Sequence, residues 1–226
     1  MGHPLVRHHR VMSHIILSLD GNIGAGKSTL LAEIRAAIPE IHVVDEPVGQ
    51  WTALHHSNGK NLLELFYEDK KRWAYTFQNC AILTRLQNIQ EAIQKLSAAT
   101  VPQIILTERS VLTDKHVFAE MLRDTGVLDS IEWELYDRWF TLFHAQHPIS
   151  GIIYLSTSSG TSKERIQIRN RQGEDRISQE YLDALDVQHK KWVESTDKPV
   201  LTLSTEPGVS LSENIEKIRA FVRRFQ

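Results

Sequence analysis

Five short apolar runs punctuate the chain: Ile15–Leu19, Ile41–Val44, Ile104–Leu106, Ile152–Leu155 and Val200–Leu203. Each is rich in β-branched residues and unbroken rather than alternating, as in a strand covered on both faces. Helical spacing fills the intervals: Ser28–Ala37, Leu62–Ala98 (read as two helices), Asp114–Leu122, Ser130–Ala145, Lys163–Arg169, Gln179–Ser195 and Leu211–Phe225. Strand–helix alternation with right-handed crossovers predicts an α/β fold. It is a doubly wound, five-stranded parallel sheet flanked by helices, with ligands at the carboxyl ends of the strands. No repeat or low-complexity linker interrupts the pattern, so residues 14–226 are expected to form one domain. Residues 1–13, basic and rich in histidine, fall outside the pattern and are expected to be a disordered extension.

Composition narrows the class without choosing a function. A chain of 226 residues with 41% apolar and 24% charged residues has ample material for a core. A net charge of −2 exerts no whole-chain pull toward nucleic acid or anionic membrane, so neither is an expected partner. No run approaches a transmembrane span. The single cysteine, Cys80, excludes an intrachain disulfide framework and suits a reducing compartment, with the cytosol as the expected location. His8-His9 and His55-His56 lack carboxylates at ligand spacing and read as solvated surface.

The first strand runs into Gly21-Asn22-Ile23-Gly24-Ala25-Gly26-Lys27-Ser28-Thr29, a complete G-x-x-x-x-G-K-[ST] pattern between strand and helix. Glycines there let backbone N–H groups converge on phosphates at a helix N-terminus. Lys27 would neutralise the β- and γ-phosphates, and Ser28 would offer a hydroxyl to Mg²⁺. The pattern calls for a nucleoside triphosphate but does not say what is done with it.

The other strand ends carry chemistry too. Glu46 follows the second strand, where a carboxylate could take the proton of a hydroxyl attacking the γ-phosphate; alone it could equally be a solvated turn acid. Glu108-Arg109 follows the third: Glu108 could reach Mg²⁺ or its water while Arg109 holds Glu46, or the two could form a structural ion pair. After the fourth come Lys163, Arg165, Arg169 and Arg171, with Arg165 and Arg169 on one helix face. They could be a solvated basic face or a lid that brings cations to a transferring phosphoryl group. Between residues 51 and 85, the side chains of Trp51, Leu63, Tyr67, Phe77, Gln78 and Arg85 could grip a planar ligand; for Trp51, Leu63 and Phe77 the alternative is plain core. Gln78 suits a core poorly, because an unpaired buried amide costs ~1–3 kcal/mol.

Taken together, these motifs resemble the deoxynucleoside kinases, from about His14 to the C-terminus. The resemblance rests on the P-loop, Glu46-Pro47-Val48 with Trp51, Phe66-Tyr67-Glu68, Phe77-Gln78, Glu108-Arg109-Ser110, and Arg165-Ile166-x-x-Arg169-x-Arg171 followed by Glu174 and Tyr181-Leu182. It implies transfer of the γ-phosphoryl group of ATP, with Mg²⁺ held by Ser28 and Glu108, to the 5′-hydroxyl of a 2′-deoxynucleoside. Residues 21–29 with Arg165, Arg169 and Arg171 would hold ATP, in a lid of about residues 160–176. By the same resemblance Glu46 is the base, with Arg109, Lys27 and Arg169 beside it in catalysis. Tyr67 and Glu174 would hold the 3′-hydroxyl. Gln78 would read the nucleobase against Phe118 or Phe77, bounded by Trp51 and Leu63. Helices around Phe77–Lys95 and Glu132–His144 are similar to those that form the family's homodimer, so a homodimer is expected.

Ala81, Arg85 and Asp114 resemble the deoxycytidine and deoxyguanosine kinase branch rather than the thymidine-preferring one. Small Ala81 leaves room, and an Arg85–Asp114 pair suits polar base edges better than the thymine methyl. Deoxycytidine and the purine deoxynucleosides are therefore the expected substrates, in nucleotide salvage; a salt bridge that merely links helices is the alternative for Arg85 and Asp114. The chain departs from the family at Ser204-Thr205-Glu206-Pro207, which lacks the acidic residue followed by an aromatic that deoxycytidine kinase places at the donor base. ATP is the expected donor, with UTP open.

Overall fold

The computed structural model describes residues 14–97, 101–171 and 173–226, so the expected N-terminal extension lies outside the described residues. Five strands form one sheet: β1 (His14–Gly21), β2 (Ile41–Val44), β3 (Gln103–Glu108), β4 (Ile149–Ser156) and β5 (Val200–Ser204). Their spatial order is β2-β3-β1-β4-β5, and every pairing is parallel. Each expected apolar run lies inside one strand.

Although the runs are apolar throughout, successive residues serve different cores. Leu17, Leu19, Ile104, Leu106, Ile153 and Leu155 pack toward α1 (Lys27–Ala37) and α10 (Leu211–Val222). Ile16, Ile105, Ile152 and Tyr154 join the opposite core. That core includes residues of α2 (Val48–Ala53), α3 (Leu62–Glu68) and α4 (Lys70–Leu96). Two covered faces explain why no polar alternation was visible in the sequence.

The expected helical region beginning at Leu62 does divide in two, at Asp69. Its backbone N–H closes α3 on Leu65 O while its side chain accepts from Arg72 N at the start of α4. The sequence reading missed α2, whose six residues follow Pro47 and carry too little periodicity to register; buried Trp51 anchors it.

The helix expected over Asp114–Leu122 is a composite. It runs from α5 (Val111–Thr113) through a π-helical stretch, Asp114–Ala119, into α6 (Glu120–Asp124). The wider turn falls where Asp114 and Phe118 face the central cavity, in keeping with the concentration of π-bulges at functional sites. Next in the chain comes α7 (Ser130–His144). After β4, α8 (Ser159–Arg169) begins four residues before the sequence suggested, because Ser158 caps it by accepting from Thr161 N. The last long helix before β5 is α9 (Gln179–Ser195).

Candidate active site

Between β1 and α1 the chain forms a tight loop with Gly24 at φ +80° and Gly26 at φ +88°, in the left-handed region. Gly24 occupies a position the sequence pattern leaves free. A Cβ there would collide with Ser162 O of α8, so the loop and that helix touch backbone to backbone. Asn22 accepts from Ile23 N at 2.8 Å and donates from Nδ2 to Leu182 O at 2.9 Å, tying the loop to α9. Lys27 folds back on the loop, its Nζ donating to Gly21 O at 3.1 Å and Asn22 O at 2.8 Å. Burial, then the Arg109 charge, lowers its ammonium to about 7. Gly21, Asn22 and Ala25 line neither of the two cavities at this loop and shape it from within.

One cavity, of about 270 Å³, opens between the P-loop and α2–α4. Its wall brings together all twelve residues expected to bind the acceptor: Glu46, Trp51, Leu63, Tyr67, Phe77, Gln78, Ala81, Arg85, Arg109, Asp114, Phe118 and Glu174. Its apolar side is fixed by ring contacts. Phe77 stacks on Phe66 with centroids 4.5 Å apart and meets Trp51 edge-on at 5.1 Å. Trp51 in turn donates from Nε1 to Thr84 Oγ1 at 3.0 Å. Gln78 is 1% exposed, and its Oε1 has no partner among the described residues. A buried acceptor in the wall of a cavity fits a donor brought by the ligand.

The polar side is a charge network centred on Glu46. Its Oε1 accepts from Arg109 Nη1 at 2.6 Å and Arg85 Nη2 at 2.8 Å. Burial would raise this carboxyl, but Arg109, Arg85 and Lys27 together hold it well below the usual carboxylate range. Arg85 also donates from Nε to Asp114 Oδ2 at 2.8 Å and from Nη1 to Glu108 O at 2.7 Å. The Arg85–Asp114 ion pair thus exists, and both its members line the cavity. Arg109 has φ +60°, a conformation that a non-glycine residue keeps only when its surroundings enforce it. Its guanidinium sits 5.0 Å from the Phe118 ring centre, stacking on the opposite wall.

Tyr67 and Glu174 both line this cavity. Burial, then Tyr181 and Glu174, raises the Tyr67 phenol well above its ordinary value, so it remains a donor. Glu174 is itself buried and accepts from Arg169 Nη2 at 2.7 Å and Arg171 Nη1 at 3.2 Å. The two arginines expected on the donor phosphates rest here on the acceptor-side carboxylate. Sequence reasoning missed this doubling, since spacing alone does not say which acid an arginine meets.

A second cavity of about 640 Å³ lies across the P-loop, and Gly24, Lys27, Ser28, Glu108, Arg169 and Arg171 border both. Its outer walls are Ile168, Pro207, Gly208, Val209 and Leu211. Arg165 reaches it from α8, donating from Nη2 to Thr205 O at 2.6 Å. Glu206 also lines this cavity, but its carboxylate is engaged: it accepts from Ser158 N and, at 2.7 Å, from Thr161 Oγ1, closing the first turn of α8. At the shared border Ser28 Oγ donates to Glu108 Oε2 at 3.1 Å. One hydroxyl and one carboxylate suit a hard, oxygen-seeking cation that takes its other ligands from phosphates and water.

A P-loop on a parallel sheet, opening on a nucleoside-sized cavity with a doubly clamped carboxylate, defines a phosphotransferase. Comparison with known proteins gives the family: the chain matches deoxynucleoside kinase over residues 17–225 and belongs to that family. It is 38% identical to a probable deoxycytidine kinase of fowlpox virus (strain NVSL) over 200 residues, 85% of this chain and 79% of that one. It is 30% identical to human deoxycytidine kinase over 235 residues, covering 91% and 90%. A mitochondrial deoxyguanosine kinase of Xenopus laevis is 35% identical over 194 residues, covering 78% and 72%. The protein is a deoxynucleoside kinase. Among the described residues no helix is long and apolar enough to cross a membrane.

Proposed function

We propose that this kinase transfers the γ-phosphoryl group of ATP to the 5′-hydroxyl of deoxycytidine and the purine deoxynucleosides, with thymidine a poor substrate, in nucleotide salvage. The observation that carries the base preference is the buried Arg85–Asp114 pair in the cavity wall. A thymine methyl would meet an ion pair there, whereas cytosine or a purine offers polar groups to it. The family relation to proteins named deoxycytidine and deoxyguanosine kinases supports the same preference.

In this reading Glu46 Oε1 is occupied by both arginines, leaving Oε2 to accept the 5′-hydroxyl. So acidic a carboxylate is a weak base. It orients the nucleophile and takes the proton late, as a loose phosphoryl-transfer transition state allows. Gln78 reads the base edge, Tyr67 and Glu174 hold the 3′-hydroxyl, and the rings of Phe77 and Phe118 flank the base. Residues 160–176 act as a lid, in which Arg165, Arg169 and Arg171 turn to the donor phosphates and Lys27 leaves its loop carbonyls for the same charge. Ser28 and Glu108 would hold Mg²⁺, which supplies charge neutralisation at the phosphates. A homodimer is supported by the apolar side chains that α7 presents to solvent, Ile131, Leu135, Trp139 and Leu142, beside Leu83 of α4. The single cysteine is compatible with the cytosol.

Steady-state kinetics on deoxycytidine, deoxyadenosine, deoxyguanosine and thymidine tests the preference. A thymidine kcat/KM above the other three would overturn it. Activity on deoxynucleoside monophosphates but not on the nucleosides would overturn the acceptor assignment.

A further inference from the structure

Asp20 is the last residue of β1 before the P-loop glycine and is fully buried between the strands and the turn that follows β3. Burying a carboxyl group is costly unless it is bonded. Its Oδ1 accepts the hydroxyl of Thr113, across 93 residues of sequence. Thr113 Oγ1 also accepts from Ser110 N at 3.1 Å, while Ser110 Oγ accepts from Thr113 N at 3.4 Å. The two form a reciprocal cap on α5. Ser110 directly follows Arg109, the residue held at φ +60°. On the other side, Arg109 N donates to Leu19 O at 2.9 Å and Arg109 Nη2 to Gly21 O at 3.3 Å, the residues flanking Asp20. The left-handed turn at Arg109 is therefore pinned before and after by the same short stretch of β1. Of these bonds, the Asp20–Thr113 bond is made between two side chains and can be removed without touching the main chain.

We infer that Asp20 is a positioning residue for phosphoryl transfer, holding the Arg109 turn through Thr113 and Ser110 so that the guanidinium meets Glu46. The inference rests on the assignment of Glu46 and Arg109 to the transfer step. Arg109 presents Nη1 to Glu46 at 2.6 Å only while its backbone stays in that turn. Released, the residue relaxes to an ordinary negative φ, and its side chain swings away from the carboxylate. Glu46 would keep Arg85 but lose Arg109, the second of the two partners that orient its carboxylate through Oε1. Nucleoside binding, carried by Gln78, Tyr67, Glu174 and the rings, would be little altered.

The test compares Asp20→Asn, Asp20→Ala, Thr113→Val and Thr113→Ser in steady-state kinetics with deoxycytidine and ATP. The wild-type protein must first phosphorylate the nucleoside; its failure to do so would strike the functional reading rather than this one. Asp20→Asn and Thr113→Ser keep an acceptor and a hydroxyl and are expected within about threefold of wild-type kcat, while Asp20→Ala and Thr113→Val lose about 100-fold with nucleoside KM nearly unchanged. On an Arg109→Ala background the loss from Thr113→Val should vanish, because both changes remove one interaction. Thr113→Val leaves β1 intact but also takes the acceptor from Ser110 N, so its loss must be matched by Asp20→Ala or, if that does not fold, by Asp20→Leu. Wild-type kcat in the Asp20 variant beside a loss in Thr113→Val would overturn the inference. Wild-type kcat in Thr113→Val, a loss carried by KM, or full additivity with Arg109→Ala would each overturn the inference.

Discussion

The two cavities that share the P-loop are built on different principles. On the acceptor side, charges already meet their partners: Arg109 and Arg85 on Glu46, Arg85 on Asp114, with both arginines and Asp114 buried and Glu46 partly so. On the donor side, cations rest on the protein's own oxygens, Lys27 on loop carbonyls and Arg165 on Thr205 O, beside a wide apolar rim. A preorganised network can discriminate because a wrong ligand leaves buried groups unpaired. A set of parked cations discriminates little and waits for phosphate. On the proposed assignment, the contrast puts selectivity in the acceptor half and leaves the donor half to supply charge.

The largest effect should come from the centre of the fixed half. Glu46→Gln is expected to lower kcat about 1,000-fold with little change in nucleoside KM, measured by steady-state kinetics. Because the arginines keep Glu46 ionised far into acid, wild-type kcat should show no acid limb from this group between about pH 5 and pH 8. The next effect is on choice. Removing both members of the buried pair, Arg85→Met with Asp114→Ala, should raise the thymidine-to-deoxycytidine ratio of kcat/KM about 100-fold. Arg85→Met alone should cost stability as well, by leaving Asp114 buried without its guanidinium; thermal unfolding of the two variants separates these effects.

On the parked side, Arg165→Ala should raise the KM for ATP about tenfold and leave nucleoside selectivity alone. A changed base preference in that variant would break the comparison. The smallest effect is a proton. Lys27, lowered to about 7, is largely neutral in the free protein at higher pH, and a bound triphosphate should restore its charge. Triphosphate binding near pH 8 should then take up about one proton, and near pH 6, where Lys27 is already charged, almost none. Calorimetry in buffers of different ionisation enthalpy reads this directly, and Lys27→Met should abolish it.

Much of this was legible in the sequence for physical reasons that apply element by element. Strands buried on both faces announce themselves as unbroken apolar runs, and all five were visible. Their carboxyl ends then pointed to Glu46, Glu108 and Arg109, the aromatic and amide side chains of α3 and α4 suggested a grip on a planar ligand, and the family resemblance gave those residues their particular roles. Short or irregular elements were not legible. α2 has too few residues for a period, and the π-helical stretch reads as ordinary helix because it differs only in backbone hydrogen bonding. The second roles of side chains were hidden as well. Arg85 bonds three groups at once, Glu174 serves two arginines, and Glu206 closes α8. Each depends on which surfaces packing brings together, which no local spacing encodes.

The loop that begins at Gly21 is completed from far along the chain. Asn22 bonds Leu182 O, and Ala25 O accepts from Thr205 Oγ1 at 2.9 Å, 180 residues away. During synthesis the phosphate-binding loop leaves the ribosome at least 160 residues ahead of these supports. Contacts so distant in sequence form late and only after most of the chain is available. Chains ending at residue 181, before Asn22 can meet Leu182 or Ala25 meet Thr205, should retain no triphosphate on an affinity resin, whereas the chain through residue 226 should.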